Sequence, residues 1–320
     1  MTATPQRARL LAIGAVIFTL LGWSSVPLFI REFSHEIDPW TANGWRYGVS
    51  AILWLPVIFM GLARRNLPRG LWVKSIVPGL FNALGQVCFT HTFYKISPGL
   101  ATFGMRTQIV FVATGAALMF PAERRILRSP AFIVGLIMVM GGAMSIMFLG
   151  ENHQSLEARG WGLALAIGAG ALFACYGLSV RKFMEGVPSL TAFAAISQLT
   201  AALMVGLMLV LGERHGATAL DLTPWRFALL LFSGIIGIAI GHVAYYYSIA
   251  KLGVMISSSV IQLQPLVVAT ASAFIFKELL TPLQWTAGLV ALSGAALILF
   301  TQSSKTPASA KAVEVAFESD

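Results

Sequence analysis

Arg106 is the residue of this chain with the most chemistry to explain. It lies about seven residues into an apolar stretch that begins near Gly99, which at about 1.5 Å per helical residue puts a guanidinium roughly 10 Å below the end of a helix. A planar cation with five donors, held away from bulk water, is suited to pairing with a carboxylate or other anionic group of a small ligand. The same stem is long enough to return the charge to a surface or to cap carbonyls near the preceding short link, and the sequence leaves both roles open. Thr102 stands one turn earlier and shares the face of Arg106. Arg46 lies about five residues into another apolar stretch, just after the acidic Glu36 and Asp38, so its expected role is structural, by snorkelling or ion pairing.

Other polar groups recur at helical spacing. Asn82, Gln86 and Thr90 are four residues apart, and His242 and Tyr246 are one turn apart. Such stripes should not face lipid; hydrogen bonds between helices and the lining of a cavity account for them equally. His91 and His242 are the histidines inside apolar stretches. Imidazole titrates near neutrality, which makes them the candidates for proton coupling, against a neutral, hydrogen-bonded role. Trp23, Tyr176, Tyr245 and Tyr246 would line an amphipathic cavity fit for amino acids or aromatic metabolites, or else pack between helices. There is no H-E-x-x-H, no G-x-S-x-G in a suitable context and no P-loop. Neither an enzyme nor an ATP-driven pump is expected, and no cofactor or metal is called for.

These groups need elements to carry them, and composition says what kind. With 57% hydrophobic and 11% charged residues, the chain cannot be packed as a soluble globule and must face a second apolar solvent. A crossing helix needs roughly 20 apolar residues. About ten such stretches begin near Leu10, Thr41, Trp72, Gly99, Ala131, Trp161, Leu190, Arg226, Val254 and Gln284. The first follows Arg7 and Arg9 but has no small-residue cleavage site and reads as a retained span. Cys88 and Cys175 fall inside spans, where they act as small apolar side chains. All 13 Asp and Glu residues fall in loops, in the tail or at helix ends. Of the 22 Lys and Arg residues, most, including Arg64, Arg65, Arg69, Arg124, Arg125, Arg181 and Lys182, fall on the side of the N-terminus. Arg31, Lys95, Arg159, Arg214, Arg226 and Lys277 fall on the other. Both termini are therefore expected in the cytoplasm. The net charge of +9 is mainly this topology signal and gives no support for nucleic-acid binding.

The chain also repeats itself. Gly85 returns 156 positions on as Gly241, Lys95 as Lys251, Gln108 as Gln264, Ala113-Thr114 as Ala269-Thr270 and Phe120 as Phe276. After small slips Glu123 returns as Glu278, and Gly135 and Gly141 as Gly288 and Gly294. Five crossings per copy make the second copy enter from the opposite face, and inverted repeats of this kind are characteristic of secondary transporters. The mismatches Arg106/Gln262, Thr102/Ser258, Gln86/His242 and Ile109/Pro265 are where a binding site would be asymmetric. Gln108/Gln264 reads as shared scaffold.

The doubled pattern resembles the drug/metabolite transporter superfamily, in particular its ten-helix EamA-like members. It is carried by Tyr245-Tyr246-Tyr247 through Lys251, then Gln264-Pro265-Leu266, Lys277-Glu278 and the spacing from Gly288 to Gly294. The resemblance covers Leu10 to Thr301. It implies an all-α integral membrane fold of ten transmembrane helices in two inverted five-helix repeats, 1–150 and 151–302, with residues 303–320 a disordered cytoplasmic tail. It also implies a basket of helices one to four and six to nine, with the fifth and tenth peripheral and Gly135, Gly141, Gly288 and Gly294 at helix contacts. Ile109 in place of a proline departs from the pattern and predicts a straighter fourth helix. Small multidrug relatives are associated with a membrane-embedded carboxylate, which this chain lacks, so antiport through one is not expected. The expected function is secondary active transport or exchange of a small zwitterionic or anionic metabolite, outward, across a bacterial-type inner membrane. Facilitative efflux of amphipathic compounds is the alternative, with a non-transporting receptor or scaffold behind it. The expected partners are a small-molecule substrate and the lipid bilayer, with the monomer as the working unit. Substrate contact is expected from Trp23, Asn82, Gln86, Thr102, Arg106, Tyr176, His242, Tyr246, Ser258 and Gln262, with Pro265 as a kink.

Overall fold

Many helix starts are written into the chain as a capping residue followed by proline. Asp38-Pro39, Ser97-Pro98, Ser129-Pro130, Thr223-Pro224 and Thr281-Pro282 each stand at the head of a helix. Asp38 accepts from the backbone N–H groups of Trp40 and Thr41 at 2.9 and 3.0 Å, while proline in the first turn has no N–H to leave unsatisfied. Thr281 and Gln284 cap reciprocally: Gln284 N donates to Thr281 Oγ1 at 3.2 Å and Thr281 N to Gln284 Oε1 at 3.0 Å, which forms a capping box.

The computed structural model of the protein describes residues 5–120, 124, 127–148, 156–252 and 254–305. Among the described residues the regular structure is helical and contains no strand. The helices are α1 (Pro5–Phe33), α2 (Pro39–Ala63), α3 (Leu71–Phe93), α4 (Pro98–Gly104), α5 (Gln108–Met119), α6 (Pro130–Phe148) and α7 (Leu156–Phe183), followed by α8 (Ser189–Leu211), α9 (Pro224–Gly234), α10 (Gly241–Leu252), α11 (Val254–Ile261), α12 (Gln264–Ile275) and α13 (Pro282–Lys305). A 3₁₀ turn, Met105–Thr107, joins α4 to α5, and a π-helical segment, Ile235–Ile240, joins α9 to α10. The helix α13 runs through residues 303–305, which the sequence reading had placed in the tail; residues 306–320 and Glu123 lie outside the described residues.

Among the described residues six helical runs are long and apolar enough to cross a membrane: Arg9–Phe33, Pro39–Ala63, Arg159–Phe183, Ser189–Leu211, Pro224–Ile249 and Pro282–Thr301. The other apolar stretches are helical as well. In α3, Lys74, Asn82 and Gln86 lower the mean hydropathy, α4/α5 and α11/α12 are each interrupted in the middle, and α6 is described over Pro130–Phe148. Large apolar side chains such as Ile52, Val73, Ile137, Val210 and Phe274 point outward, as expected of a surface solvated by lipid.

The closest packing follows the repeat. The helix α3 lies along α7 and α1 along α10; α5 touches α7 and α12 touches α1; α2 packs on α8, and α6 on α13. One end of the bundle, which the charge pattern predicts to be outside, is tied by ion pairs. Arg226 donates to Glu36 Oε2 at 2.9 Å and to Glu32 Oε1 at 2.8 Å, and Arg214 pairs with Asp221. Arg31 donates from Nε and Nη2 to Glu278 Oε1 at 3.0 and 2.6 Å and from Nη1 to the Phe93 carbonyl, while Ser272 donates to the other Glu278 oxygen. This pair joins α1 to the linker before α13 and is largely buried. Hydrogen bonds to charged groups contribute about 1.5–3 kcal/mol, so Glu278→Gln should lower stability by that order. A double-mutant cycle with Arg31→Gln, read by denaturation in detergent, should show coupling between the two sites; strictly additive losses would show that the pair does not hold the helices together.

Candidate functional site

The two broken helices meet at Arg106. In the second copy the break is made by Pro265, whose ring excludes an interior helical position: α11 ends at Ile261, Gln262 and Leu263 turn, and α12 starts at Gln264. In the first copy Ile109 stands at the equivalent place, yet the helix is not a regular α-helix there. It tightens into the 3₁₀ turn Met105–Thr107. Thr102 donates to the carbonyls of Pro98 and Gly99 at 2.9 and 3.0 Å, and Thr107 to that of Gly104 at 3.0 Å; such back-bonding from threonine disturbs the α-helical ladder. Both copies are irregular at the same level, the first more mildly than the second, its backbone staying helical through Met105–Gln108.

Across this junction Arg106 Nη1 donates to Gln262 Oε1 at 3.0 Å and Nη2 to Gln264 Oε1 at 2.9 Å, with Nε reaching the Thr102 carbonyl at 3.4 Å. Arg106 and Gln262 are the same position of the two copies, 156 residues apart, and here they touch. The guanidinium therefore does not snorkel to the surface. It is held by two neutral amides and has no carboxylate partner among the described residues. Gln264, which the repeat suggested was scaffold, is a direct partner, and its Nε2 donates to the Trp23 carbonyl at 2.9 Å.

The aromatic groups gather on the α1 side of the junction. The Trp23 ring lies 5.1 Å from both His242 and Tyr245, and its Nε1 donates to the Gly237 carbonyl at 3.1 Å. Phe193 stacks on His242 at 4.9 Å and meets Tyr246 edge-on at 6.3 Å, and Tyr176 packs in the same cluster. Trp23, Tyr176, His242, Tyr245 and Tyr246 are each half-buried, as are Arg106, Gln262 and Gln264. Phe193 escaped the sequence reading because an apolar ring in an apolar helix carries no signal.

The polar stripe of α3 is divided. Asn82 donates to Thr200 of α8 at 3.1 Å, and Thr90 donates to Asn43 of α2 at 2.7 Å, which are helix-to-helix hydrogen bonds. The Gln86 carbonyl accepts from Asn43 at 3.3 Å, while its side-chain amide has no partner among the described residues. Thr102 is corrected as a ligand contact, being 1% exposed with its hydroxyl bonded to its own helix. The side chain of Ser258 lies outside the described residues. His242 and His91 each hydrogen-bond through Nδ1 to the carbonyl four residues earlier, at 3.0 and 2.8 Å. A carbonyl only accepts, so Nδ1 carries the proton and Nε2 is left as the second ring position. His242 belongs to the aromatic group; His91 instead packs 4.6 Å from Trp40 at the end of α2.

Arg46 is also corrected. It reaches neither surface nor carboxylate: it is 1% exposed, its Nε donates to Ser233 Oγ at 3.0 Å, and its Nη1 has no partner. The glycine pattern needs one correction as well. Gly135 and Gly294 face each other between α6 and α13, where a Cβ at either would come within 2.9 Å of the other's carbonyl oxygen. Gly288 packs on Phe103 of α4 instead. Gly141 faces open space, and its neighbour Gly142 makes the contact with α13, at Ala287 and Ala291.

The fold and site together define a multi-pass α-helical membrane protein whose internal polar groups converge at helix breaks. Residues 8–148 and 160–300 each match the EamA-like transporter family. The chain belongs to that family. It is 24% identical over 234 residues to the threonine/homoserine exporter RhtA of Escherichia coli (strain K12), covering 72% of this chain and 74% of that protein. It is 23% identical over 265 residues to the uncharacterized inner membrane transporter YhbE of the same organism, covering 78% and 76%. A solved crystal structure superposes with a TM-score of 0.58 at 17% identity, over 89% of this chain and 95% of the other, so the fold is shared.

Proposed function

We propose that this protein is a secondary transporter that moves a small carboxylate-bearing metabolite, an amino acid or related compound, outward across the inner membrane by alternating access. Its frame is ten crossings in two inverted five-helix repeats, 1–150 and 151–302, with both termini in the cytoplasm. The observation that carries the reading is the Arg106 guanidinium at the meeting point of two broken helices, partnered by amides that a carboxylate can displace. Interrupted helices beside a midplane site recur in transporters. The half-buried rings of Trp23, Tyr245 and Tyr246 would contact the rest of the substrate, and Gln86 offers a free amide. His242 sits beside this site and is the candidate for proton coupling; His91 packs on Trp40 instead. The site is completed within one chain, which supports a working monomer.

The export of threonine and homoserine by one relative supplies the first substrates to try. Purified protein in liposomes loaded with L-threonine or L-homoserine should accumulate the labelled compound by counterflow. Loss of that signal in Arg106→Gln, with retained folding, is the expected companion result. No counterflow with any amino or organic acid, or conversion of the compound into a product, would overturn the reading. An imposed pH gradient should accelerate uptake in the wild type and not in His242→Gln, which copies Gln86 of the first repeat; equal responses would assign exchange without protons. The aromatic cluster favours a second reading, facilitative efflux of amphipathic compounds, which would show as transport independent of a carboxylate on the substrate.

A further inference from the structure

Among the described residues Arg46 and Arg106 carry guanidiniums inside the apolar stretches, and only Arg106 belongs to the site described above. Arg46 is enclosed by α9 and the π-helical segment, where a Cβ at Gly234 would lie 2.5 Å from the Arg46 carbonyl oxygen and one at Gly237 3.9 Å from Nη2. Ser233 accepts from Nε and itself donates to the Leu230 carbonyl at 2.6 Å. Nη1 is buried with no partner among the described residues.

The acidic residues nearest in sequence are all committed elsewhere. Asp38 Oδ1 accepts from Trp40 N and Thr41 N, and its Oδ2 from Thr41 Oγ1 and from Glu213 N. Glu36 and Glu32 hold Arg226. Tyr94 donates its hydroxyl to the Ile37 carbonyl. An enclosed cation without an anionic partner is strongly disfavoured, and no Asp or Glu lies within the apolar stretches to supply one.

The two guanidiniums are connected through one tryptophan. Arg106 donates to Gln264, Gln264 to the Trp23 carbonyl, and Trp23 Nε1 to the carbonyl of Gly237, the residue against Arg46 Nη2. The join between them is the π segment, a helical irregularity that is frequent at functional sites and a point where α9 and α10 can shift relative to α2.

We propose that Arg46 is a second anion-binding position, reached when the π segment moves, and that the transporter prefers substrates with two carboxylates, of the acidic amino acid or dicarboxylate class, over monocarboxylate zwitterions. This rests on the transport reading above and adds substrate class to it. A zwitterion brings one negative and one positive charge and leaves Arg46 uncompensated. A second carboxylate compensates both cations.

The test is competition in counterflow by the full-length protein in liposomes, with L-aspartate and succinate set against L-threonine. One further charge-assisted pair should favour the dicarboxylates by on the order of ten- to a hundredfold. Arg46→Gln should erase that preference while threonine affinity stays unchanged, and Arg46→Lys, which keeps the charge, should retain part of it. Arg106→Gln should weaken both classes. Equal affinities in the wild type, or a preference that survives in Arg46→Gln, would overturn the proposal. Should Arg46→Gln not fold, the wild-type ratio and Arg46→Lys decide it: a Lys variant with the full wild-type ratio counts against a bidentate role. Threonine counterflow that rises with chloride, with no advantage for aspartate, would mean that Arg46 holds a free inorganic anion and also counts against it. Threonine transport without dicarboxylate preference sinks this inference alone; absence of counterflow with every carboxylate sinks the transport reading too.

Discussion

Arg106→Gln lowers substrate affinity by on the order of ten- to a hundredfold, following the usual strength of a charge-assisted hydrogen bond to a carboxylate, and leaves the bundle folded. The first half follows from the partners. Gln262 and Gln264 give the guanidinium neutral oxygens at 3.0 and 2.9 Å, which hold it in place without neutralising it, so its charge remains available to a ligand. The second half follows because the substitution removes an enclosed charge, while Gln264 keeps its bond to the Trp23 carbonyl. Arg106→Lys should be intermediate, since an ammonium keeps the charge but not the planar fork. The measurement is the concentration dependence of counterflow beside the melting temperature of each variant in detergent. Wild-type affinity in Arg106→Gln would remove Arg106 from the site, and a collapsed melting temperature would make it a structural residue.

Repetition is what made this junction legible from sequence. The offset that aligns Gly85 with Gly241 also aligns Arg106 with Gln262, and residues related by such an offset face each other when they lie near the pseudo-twofold axis. The same offset misled for Gln264: identity with Gln108 suggested scaffold, whereas a polar amide retained in an apolar helix beside a mismatch is equally a sign of contact. Helix starts were legible because Asp38, Ser97, Thr223 and Thr281 cap them ahead of proline. Helix interruptions were not, where no proline marks them. The 3₁₀ turn at Met105–Thr107 and the π segment at Ile235–Ile240 depend on which carbonyl each N–H selects, a choice of one residue that composition does not record. Ion pairing failed for a related reason. Glu36 and Asp38 are near Arg46 in the chain, but Glu36 serves Arg226, 190 residues away, and Asp38 serves its own helix start. The polar run Asn43, Arg46, Tyr47 and Ser50 on α2 has helical spacing and all four are buried, so the signal that α2 turns this face inward was present.

The asymmetry between the copies has a physical division of labour. The first copy supplies the charge at position 106 and keeps its helix almost continuous, so the charge is held on a comparatively rigid element. The second supplies neutral amides and the proline-bounded break, together with the π segment, so the larger irregularities lie on the side that faces the cation. A rocking motion that changes the second copy more than the first would move Gln262 and Gln264 away from Arg106 while leaving the guanidinium in place, freeing donors for a carboxylate at the moment the site opens.

Two adjacent glycines should respond in opposite ways to the same substitution. At Gly142 a Cβ would lie 2.6 Å from the Ala287 carbonyl oxygen and 2.8 Å from Ala291 N, and backbone atoms of a packed helix cannot yield as the tip of a side chain can. Leucine there must push α13 off α6, the helix against which α13 packs most extensively, and break the Gly135–Gly294 approach two turns away on the same face. Forced overpacking of this kind typically costs 1–3 kcal/mol or more, and the close approach of small residues is a main source of helix association in lipid. At Gly141 a Cβ meets nothing within 4 Å, so leucine points into lipid and replaces a residue of poor helix propensity with a good one. Gly142→Leu is therefore expected to lower the melting temperature in detergent sharply, and Gly141→Leu to leave it unchanged or raise it slightly. The sequence pattern alone, which aligned Gly141 with Gly294 and expected both at helix contacts, predicts a loss at Gly141, so the two variants measured side by side decide which face of α6 meets α13.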